Sequence, residues 1–187
     1  MALTDDQRTI ARILKVNHAG EFGAIRIYRA QLWIAKRWYK GLEPFLSETL
    51  SHEVVHCQHF LDAMPGRHAR PCHAMSLWGI GGLVLGLVTA LMGHNAIMVC
   101  TQAVEATVHR HLDEQLHFLT GRDESLRALI ATIQIEENDH LNFAAARIRP
   151  SVFNAPLAAL IVYSTEAVIW LSTQGAVSRM EKAIRQV

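Results

Sequence analysis

The sequence is dominated by one internal repeat. Two Glu-x-x-His motifs and two further glutamates occur as pairs whose members are 84 residues apart: Glu21 with Glu105, Glu53 with Glu137, and His56 with His140. Other positions recur at the same spacing, namely Arg26, Gln31 and Leu32 as Arg110, Gln115 and Leu116. Side chains three positions apart share a helix face, so each motif can present two side chains in one direction. The repeat predicts a duplicated helical hairpin that supplies one Glu and then one Glu-x-x-His per copy.

These residue types suit a pair of iron ions. Di-iron carboxylate bundles take one Glu from each of two helices and a Glu-x-x-His motif from each of two others, all directed inward. Carboxylate oxygens can bridge two metal ions, and one imidazole on each ion fixes the geometry and leaves positions for dioxygen. We therefore predict two iron ions per chain, with the metal ligands Glu21, Glu53, His56, Glu105, Glu137 and His140. Manganese could use the same ligands, so iron is an inference.

Three more histidines are candidates for supporting contacts, and no catalytic residue is predicted beyond the metal ligands. His18 lies three residues before Glu21, whereas His109 and His111 follow Glu105 by four and six residues. Metal ligands are commonly oriented by hydrogen bonds from neighbouring groups. We expect His18 to hold Glu21, and we expect His109 and His111 to serve a proton or electron relay.

Two other assignments of the motif residues are weaker. Residues 52–56 read as the H-E-x-x-H pattern of zinc proteases, but the next glutamate follows only after a long apolar segment, so a third zinc ligand is missing. Glu136 is a rival to Glu137 as a metal ligand. Only Glu137 has both a histidine three residues later and a partner 84 residues earlier.

Capping signals divide the chain into six predicted helices, and no stretch alternates apolar and polar residues as a half-buried strand does. We therefore predict an all-α bundle with short connections. The first predicted helix runs from a capping box at Thr4 to about Lys40, with Gly41 as its closing residue, and the second runs from Pro44 to residue 64. The third runs from Ser76 to a break at Gly93, and the fourth runs from there to Thr120, with Gly121 as its closing residue. The fifth runs from Asp123 to about residue 149, and the sixth begins at Asn154.

Residues 71–104 contain no Asp, Glu, Lys or Arg, which is unusual for a bundle helix. A transmembrane helix needs about 20 apolar residues, and this segment reaches that length only if His94 and Asn95 are included. Its five glycines weaken a spanning helix further. The third helix therefore has three open placements: across the membrane, in its interface, or in the protein core. Arg67 and Arg70, just before it, suit either lipid phosphates or a solvated loop.

Composition limits the class of protein. A chain of 187 residues has the size of one domain, and we expect a single domain over residues 1–187. Three scattered cysteines suggest neither disulfides nor a thiolate metal site, and the first twenty residues do not resemble an export signal. A net charge of +1 without basic runs argues against nucleic acid as a partner.

Several segments together resemble the 5-demethoxyubiquinone hydroxylases of ubiquinone biosynthesis. They are "NHAGEFGAIRIYRAQ", "EVVH", "CTQAVEATV", "EENDH" and "AVIWLS", and they span nearly the whole chain. The resemblance implies a ferritin-like four-helix bundle with two additional membrane-facing helices, and it implies that the six residues above are iron ligands. It also implies that one oxygen atom of dioxygen is inserted into the ring of a polyprenyl benzoquinone. Two positions depart from the family pattern, namely Leu112, where a tyrosine is common, and Ser164, where a cysteine is common.

The resemblance also implies partners and a location. We expect membrane lipids as a partner, with the protein peripheral on the cytoplasmic face of a bacterial inner membrane, or on the matrix side of the mitochondrial inner membrane in a eukaryote. Some family members work with a lipid-binding accessory protein. The natural reductant, for which a reduced nicotinamide is one candidate, and a homo-oligomer stay open. Rival functions are ferritin-type iron oxidation and storage, or oxidation of another quinol by the same kind of centre.

Overall fold

The computed structural model describes residues 2–173 and 175–186. In this part of the chain there are helices and no strands, which confirms the all-α prediction. The α-helices are α1 (Asp5–Trp38), α2 (Glu43–Ala63), α3 (Met75–Met92), α4 (His94–Leu119), α5 (Glu124–Ala145), α6 (Asn154–Ser172) and α7 (Ala176–Ile184). Two short 3₁₀ turns, Lys40–Leu42 and Pro65–Arg67, lie on either side of α2.

Most predicted helix ends are confirmed. Thr4 forms the capping box of α1 with Gln7, and the Asp123 side chain accepts the Leu126 N–H at the start of α5. Gly93 and Gly121 have φ angles of 112° and 71°, the left-handed region that ends a helix most readily at glycine.

The prediction for Gly41 was wrong, because it is part of the Lys40–Leu42 turn and is not a left-handed closing residue. The chain passes from α1 through this short turn into α2 and needs no left-handed residue there. The predicted sixth helix is divided, since Gly175 adopts φ 70° and the described residues after it form α7. The fifth helix also ends earlier than expected, at Ala145.

Four long helices make the ferritin-like bundle. Helix α1 packs on α2, α4 packs on α5, and the two pairs meet through contacts of α2 with α5 and of α1 with α4. Large apolar side chains such as Ile13, Leu14, Phe60 and Phe118 are fully buried between these helices. Burial of that apolar surface supplies the main favourable term for folding. The same packing directs the repeated motif residues toward the centre of the bundle.

Helix α3 lies on α1 at backbone-to-backbone distance. A Cβ atom at Gly82 would stand 2.4 Å from the carbonyl oxygen of Gly23, and a Cβ atom at Gly86 would stand 2.4 Å from that of Ile27. Only glycine permits such an approach, and spacing by four residues places both glycines on one face of α3. Two of the five glycines that weaken α3 as an isolated spanning helix therefore serve its packing on α1.

The opposite surfaces of α3 and of α6, which packs on α4, are apolar and exposed. Exposed side chains on α3 include Ile80, Val84 and Leu91, and those on α6 include Leu160 and Trp170. By length and composition alone, Met75–Met92 and Asn154–Leu171 could each cross a membrane, and only 28% and 11% of these segments are buried. A mainly buried core helix, one of the three placements that the sequence leaves open for α3, does not describe this arrangement.

Candidate metal centre

The six residues of the repeat lie together in the middle of the bundle. Helices α1 and α4 each provide a glutamate, and α2 and α5 each provide a Glu-x-x-His pair. All six side chains are buried, and their ligand atoms form two groups in which the atoms lie within 4.8 Å of one another. One group is Glu21, Glu53, His56 and Glu137, and the other is Glu53, Glu105, Glu137 and His140. Glu53 and Glu137 belong to both groups and therefore stand between them.

Hydrogen-bond geometry fixes the orientation of both imidazoles. His56 Nδ1 lies 3.0 Å from Glu137 Oε1, and His140 Nδ1 lies 3.3 Å from Glu137 Oε2. His140 Nδ1 is also 3.8 Å from Glu53 Oε1. Both rings thus direct Nδ1 toward the shared carboxylates and Nε2 away from them. On the side of the second hairpin, the Tyr28 hydroxyl donates to Glu105 Oε1.

The four buried carboxyl groups cannot all carry their charge without compensation. Burial, reinforced by the charge of Glu137, raises the pKa of Glu21 to about 7 and raises the pKa of Glu53 and of Glu105 well above the usual value. Burial opposes ionisation of Glu137 too, but hydrogen bonds from His140 and His56 outweigh it and lower the pKa of that carboxyl group. One carboxylate is thus held charged by the imidazoles, whereas the other three favour a proton.

This donor set fits two divalent metal ions. Four carboxylates and two neutral imidazoles would balance two divalent cations, and metal binding would replace the protons that burial imposes on the free site. Within the described part of the chain, Glu53 Oε1 is buried and has no hydrogen-bond partner, so a buried oxygen remains available to a cation. Oxygen-rich ligands with one nitrogen per ion suit iron or manganese better than zinc, which prefers four-coordinate sites rich in nitrogen and sulfur.

The three predicted supporting histidines are placed differently from one another. His18 is buried, but no hydrogen bond joins it to Glu21 among the described residues. His109 Nδ1 lies 3.4 Å from Asp113 Oδ2, one turn further along α4, and His109 is not part of the lining of the cavity described below. His111 lies beside the cavity described below, with Nε2 3.3 Å from Glu166 Oε1 on α6.

Three residues outside the predicted set of ligands and supporting histidines contact the central cluster, and of these only Glu136 was considered above, as a rival ligand. Tyr28 reaches Glu105, Glu136 Oε2 lies 2.8 Å from His56 Nε2, and His52 Nδ1 lies 3.0 Å from His140 Nε2. For the last two a signal was present, because positions 52 and 136 are 84 residues apart and each precedes a predicted ligand. Tyr28 had no such signal, since the repeat places Leu112 at the matching position.

A cavity of about 570 Å³ connects the central cluster with the apolar surface of the protein. Its walls come mainly from apolar residues of α1, α3, α4 and α6, including Ile27, Leu85 and Ile161, and the carboxyl-bearing residues Glu21 and Glu105 are part of its lining. A cavity of this kind suits a ligand with a large apolar part and a small polar head.

Both departures from the family pattern border this cavity. Leu112 is almost fully buried in the core, and Ser164 donates its hydroxyl to the Ile161 carbonyl oxygen at 2.9 Å. The Ser164 hydroxyl therefore finds its hydrogen-bond acceptor within its own helix, and the Leu112 side chain adds apolar surface to the cavity wall. Neither residue belongs to the two groups of potential metal ligands.

A ferritin-like bundle with buried carboxylates and imidazoles at its centre has the architecture and the donor set of the class of di-metal carboxylate bundles. Within that class, the family model described as "Ubiquinone biosynthesis protein COQ7" matches residues 8–172, and the chain belongs to this family. The match includes all six candidate ligand residues and the whole of α6, and it ends before α7.

Named relatives come from both eukaryotes and bacteria. The chain is 33% identical over 174 residues to the "NADPH-dependent 3-demethoxyubiquinone 3-hydroxylase, mitochondrial" of Dictyostelium discoideum, an alignment that covers 90% of this chain and 78% of the relative. It is 35% identical over 164 residues to the "3-demethoxyubiquinol 3-hydroxylase" of Rhodospirillum rubrum, with 87% and 77% covered. It is 31% identical over 166 residues to the "5-demethoxyubiquinone hydroxylase, mitochondrial" of Saccharomyces cerevisiae, with 82% and 71% covered.

Proposed function

We propose that this protein hydroxylates the ring of a demethoxyubiquinone, or of its quinol, as a di-iron monooxygenase of ubiquinone biosynthesis. The observation that carries the proposal is the cavity, because it joins the carboxylate and imidazole cluster to the apolar surface. Family membership and the names of the relatives give the same reaction class. Ferritin-type iron oxidation would use the same ligands but would have no need for an apolar cavity beside them.

We propose that two iron ions would be held by Glu21, Glu53, His56, Glu105, Glu137 and His140. Glu53 and Glu137 belong to both groups of potential ligand atoms. Iron in this setting would supply the activation of dioxygen that the protein side chains cannot perform. The role of the chain is to keep four carboxylates in place before the metal arrives. The hydrogen bond from Tyr28 to Glu105 and those between Glu137 and the two histidines support that arrangement.

The cavity would hold the substrate with its ring toward the carboxylates and its polyprenyl tail along α3 and α6. Apolar walls exclude water from the ring and favour the tail. His111, which is part of the lining and is paired with Glu166, is placed to hold or donate a proton to a ring oxygen. We propose a reduced nicotinamide as the external reductant, because the printed name of the Dictyostelium discoideum relative includes "NADPH-dependent".

The exposed apolar surfaces of α3 and α6 would lie in the membrane interface, where the tail of the substrate is available. A bacterial protein would then be peripheral on the cytoplasmic face of the inner membrane, and a mitochondrial one on the matrix side of the inner membrane. The double variant Ile80→Lys and Leu91→Lys should shift the protein from the membrane fraction to the soluble fraction, because both side chains are exposed on α3, at 62% and 61%.

The control for this experiment is Ile135→Lys, which changes a residue that is 67% exposed on α5, away from α3 and α6. An equal shift by the control, or no shift by the double variant, would contradict the membrane proposal. As further partners we propose a lipid-binding accessory protein and a second copy of this chain, on the basis of family membership alone.

Labelled dioxygen tests the reaction directly. The protein is loaded with iron(II) without oxygen, mixed with a short-chain demethoxyubiquinone and a reductant, and exposed to dioxygen of heavy isotope. We expect two irons per chain and one heavy oxygen atom on the product ring, read by mass spectrometry. If two irons are oxidised and no hydroxylated product forms, the proposed hydroxylation is contradicted. The function would then be iron storage or the oxidation of another quinol.

Glu105→Ala provides the matched loss of function. It removes a proposed ligand from α4 and should abolish hydroxylation and reduce metal content, while the helical content seen by circular dichroism stays near that of the wild type. Full activity of Glu105→Ala would overturn the assignment of six ligands.

A further inference from the structure

The outer nitrogens of the two imidazoles contact chemically different groups. His56 Nε2 lies 2.8 Å from Glu136 Oε2, whereas His140 Nε2 lies 3.0 Å from His52 Nδ1. His52 and Glu136 are themselves 84 residues apart, the spacing of the whole repeat. The two halves thus present the same inner residues and place a carboxylate in one outer position and an imidazole in the other.

The inner nitrogens show why this difference matters for a metal ion. Both rings direct Nδ1 toward Glu137, so Nδ1 is the atom that a metal would use and Nε2 is left to carry the proton. That N–H then donates to the outer partner. A hydrogen bond to a carboxylate is shorter and about twice as strong as one between neutral groups, and it increases the electron density on the ring.

The outer partners are neighbours of one another and are accessible to solvent. His52 Nδ1 lies 3.9 Å from Glu136 Oε2, and the side chains of these two residues are 35% and 40% exposed. They form a row that runs from His140 through His52 and Glu136 to His56, outside the central cluster. Neither His52 nor Glu136 belongs to the groups of potential ligand atoms, so their influence on a metal must pass through the two imidazoles.

We propose that Glu136 and His52 are positioning residues that make the two metal positions unequal. The position served by Glu21 and His56 binds a divalent metal more tightly and fills first, because Glu136 strengthens the His56 donor. The position served by Glu105 and His140 is weaker, because the outer partner of His140 is an imidazole nitrogen and not a carboxylate. This inference rests on the proposed metal centre and goes beyond it by ranking its two halves.

The test is an anaerobic titration of the metal-free, full-length protein with cobalt(II). Calorimetry and the visible absorption of bound cobalt measure the binding during the titration. We expect two binding steps whose dissociation constants differ at least about tenfold, in line with the 10–100-fold effects of such outer partners. His56→Ala should remove the tight step, and His140→Ala should remove the weak step.

Substitution of the outer residues then distinguishes positioning from a merely structural role. Glu136→Gln keeps the size and the hydrogen-bond acceptor but loses the charge, and it should weaken the tight step about tenfold and leave the weak step unchanged. His52→Glu should strengthen the weak step by a similar factor and bring the two constants together. His52→Gln, a neutral acceptor like the imidazole, is the matched control and should change neither constant by more than about twofold.

Two equal steps in the wild type, or a Glu136→Gln protein with unchanged constants, would overturn the inference. These outcomes are distinct from failure of the proposed function. A protein that binds two cobalt ions unequally but does not hydroxylate the quinone would keep the ranking of the sites and lose the reaction. A hydroxylase with two equal sites would keep the reaction and lose the ranking.

Discussion

The first and second halves of the molecule pack their third helices in different ways. In the first half, Gly82 brings the backbone of α3 against α1 beside Arg26. In the second half, α6 meets α4 through side chains, with Arg110 Nη2 3.0 Å from Glu166 Oε1. Positions 82 and 166 are 84 residues apart, as are positions 26 and 110. The same place in the repeat thus holds a glycine in one half and an ion-paired carboxylate in the other.

This difference shows that the two halves of the duplicated fold share their ligand residues and differ in the packing of their third helices. The metal-binding hairpins keep the six repeated side chains, whereas the third helices determine how much space lies beside them. The backbone contact at Gly82 brings α3 close against α1, whereas α6 contacts α4 through long side chains such as Arg110 and Glu166. The cavity extends between α3 and α6 and is lined by both of them, so the looser packing of α6 is a physical reason for its presence.

The largest expected effect concerns the residue that joins the halves. Glu137 belongs to both groups of potential ligands, whereas Glu21 belongs to one. We expect Glu137→Gln to weaken both metal-binding steps by more than about 100-fold, beyond the 10–100-fold typical of an outer partner. Glu21→Gln should leave one metal ion bound per chain. Metal content after gel filtration, measured by mass spectrometry, checks both values, and two ions retained by Glu137→Gln would mean that this carboxylate is not shared.

The next effect tests the tight packing in the first half. Gly82→Ala places a Cβ atom 2.4 Å from the Gly23 carbonyl oxygen, which is backbone and cannot turn aside. We expect it to lower the free energy of unfolding by about 1–3 kcal/mol, as overpacking commonly does, and to lower Tm by about 2–4 °C for each kcal/mol.

The neighbouring Gly81→Ala is the matched control for this substitution. Its added Cβ atom would lie 3.5 Å from Val168, an ordinary contact, and alanine favours a helix over glycine by about 0.5–1 kcal/mol. Thermal unfolding in a mild detergent compares the two variants. Equal stability of both would contradict a direct backbone contact between α3 and α1.

Removal of the metal should expose a pH dependence that comes from the cluster both halves share. A carboxyl group whose folded pKa is raised, such as Glu21 from 4.5 to about 7, keeps a proton that the unfolded chain releases. The free energy of unfolding of the metal-free protein should therefore fall as the pH rises from about 4.5 to 7. Although burial opposes the charge of His56, its hydrogen bond with Glu137 raises its pKa from 6.5 to about 9, and stability present below pH 6.5 is lost toward pH 9.

Chemical unfolding at pH 5, 7 and 9, after a chelator has removed the metal from the protein, checks this trend. Glu21→Gln cannot ionise at this position and should show a shallower decline between pH 5 and 7. The iron-loaded protein should not show the decline, because metal binding displaces the same protons and strengthens as the pH rises. Stability of the metal-free protein that rises with pH would mean that the carboxyl groups are not held in a protonated, desolvated cluster.

The comparison also shows what a single sequence can predict. The 84-residue spacing was sufficient to place Glu21, Glu105 and both Glu-x-x-His motifs at one centre, because helix periodicity turns spacing into direction. Caps such as Thr4 and Asp123 were predictable, since their hydrogen bonds are local. The contact of Gly82 with Gly23 and the one of Tyr28 with Glu105 depend on how separate helices approach each other. No local signal encodes these distances, so sequence reasoning did not find them.

The smallest expected effect tests the looser packing of the second half. Glu166→Gln removes the charge that pairs with Arg110 and His111, and because the Arg110 side chain is 59% exposed, solvent screens much of the attraction. We expect a loss of about 0.2–1 kcal/mol in the free energy of unfolding at pH 7, measured by urea unfolding. The hydrogen bond with His111 lowers the pKa of Glu166 below its ordinary value of 4.5, so the stabilisation is complete above pH 4.5 and is lost as the pH falls through the lowered pKa. The difference between wild type and variant should therefore vanish in acid.

A loss as large as that of Gly82→Ala would mean that α6 is held as tightly as α3. The space beside the candidate metal ligands would then need an explanation other than unequal packing of the two halves.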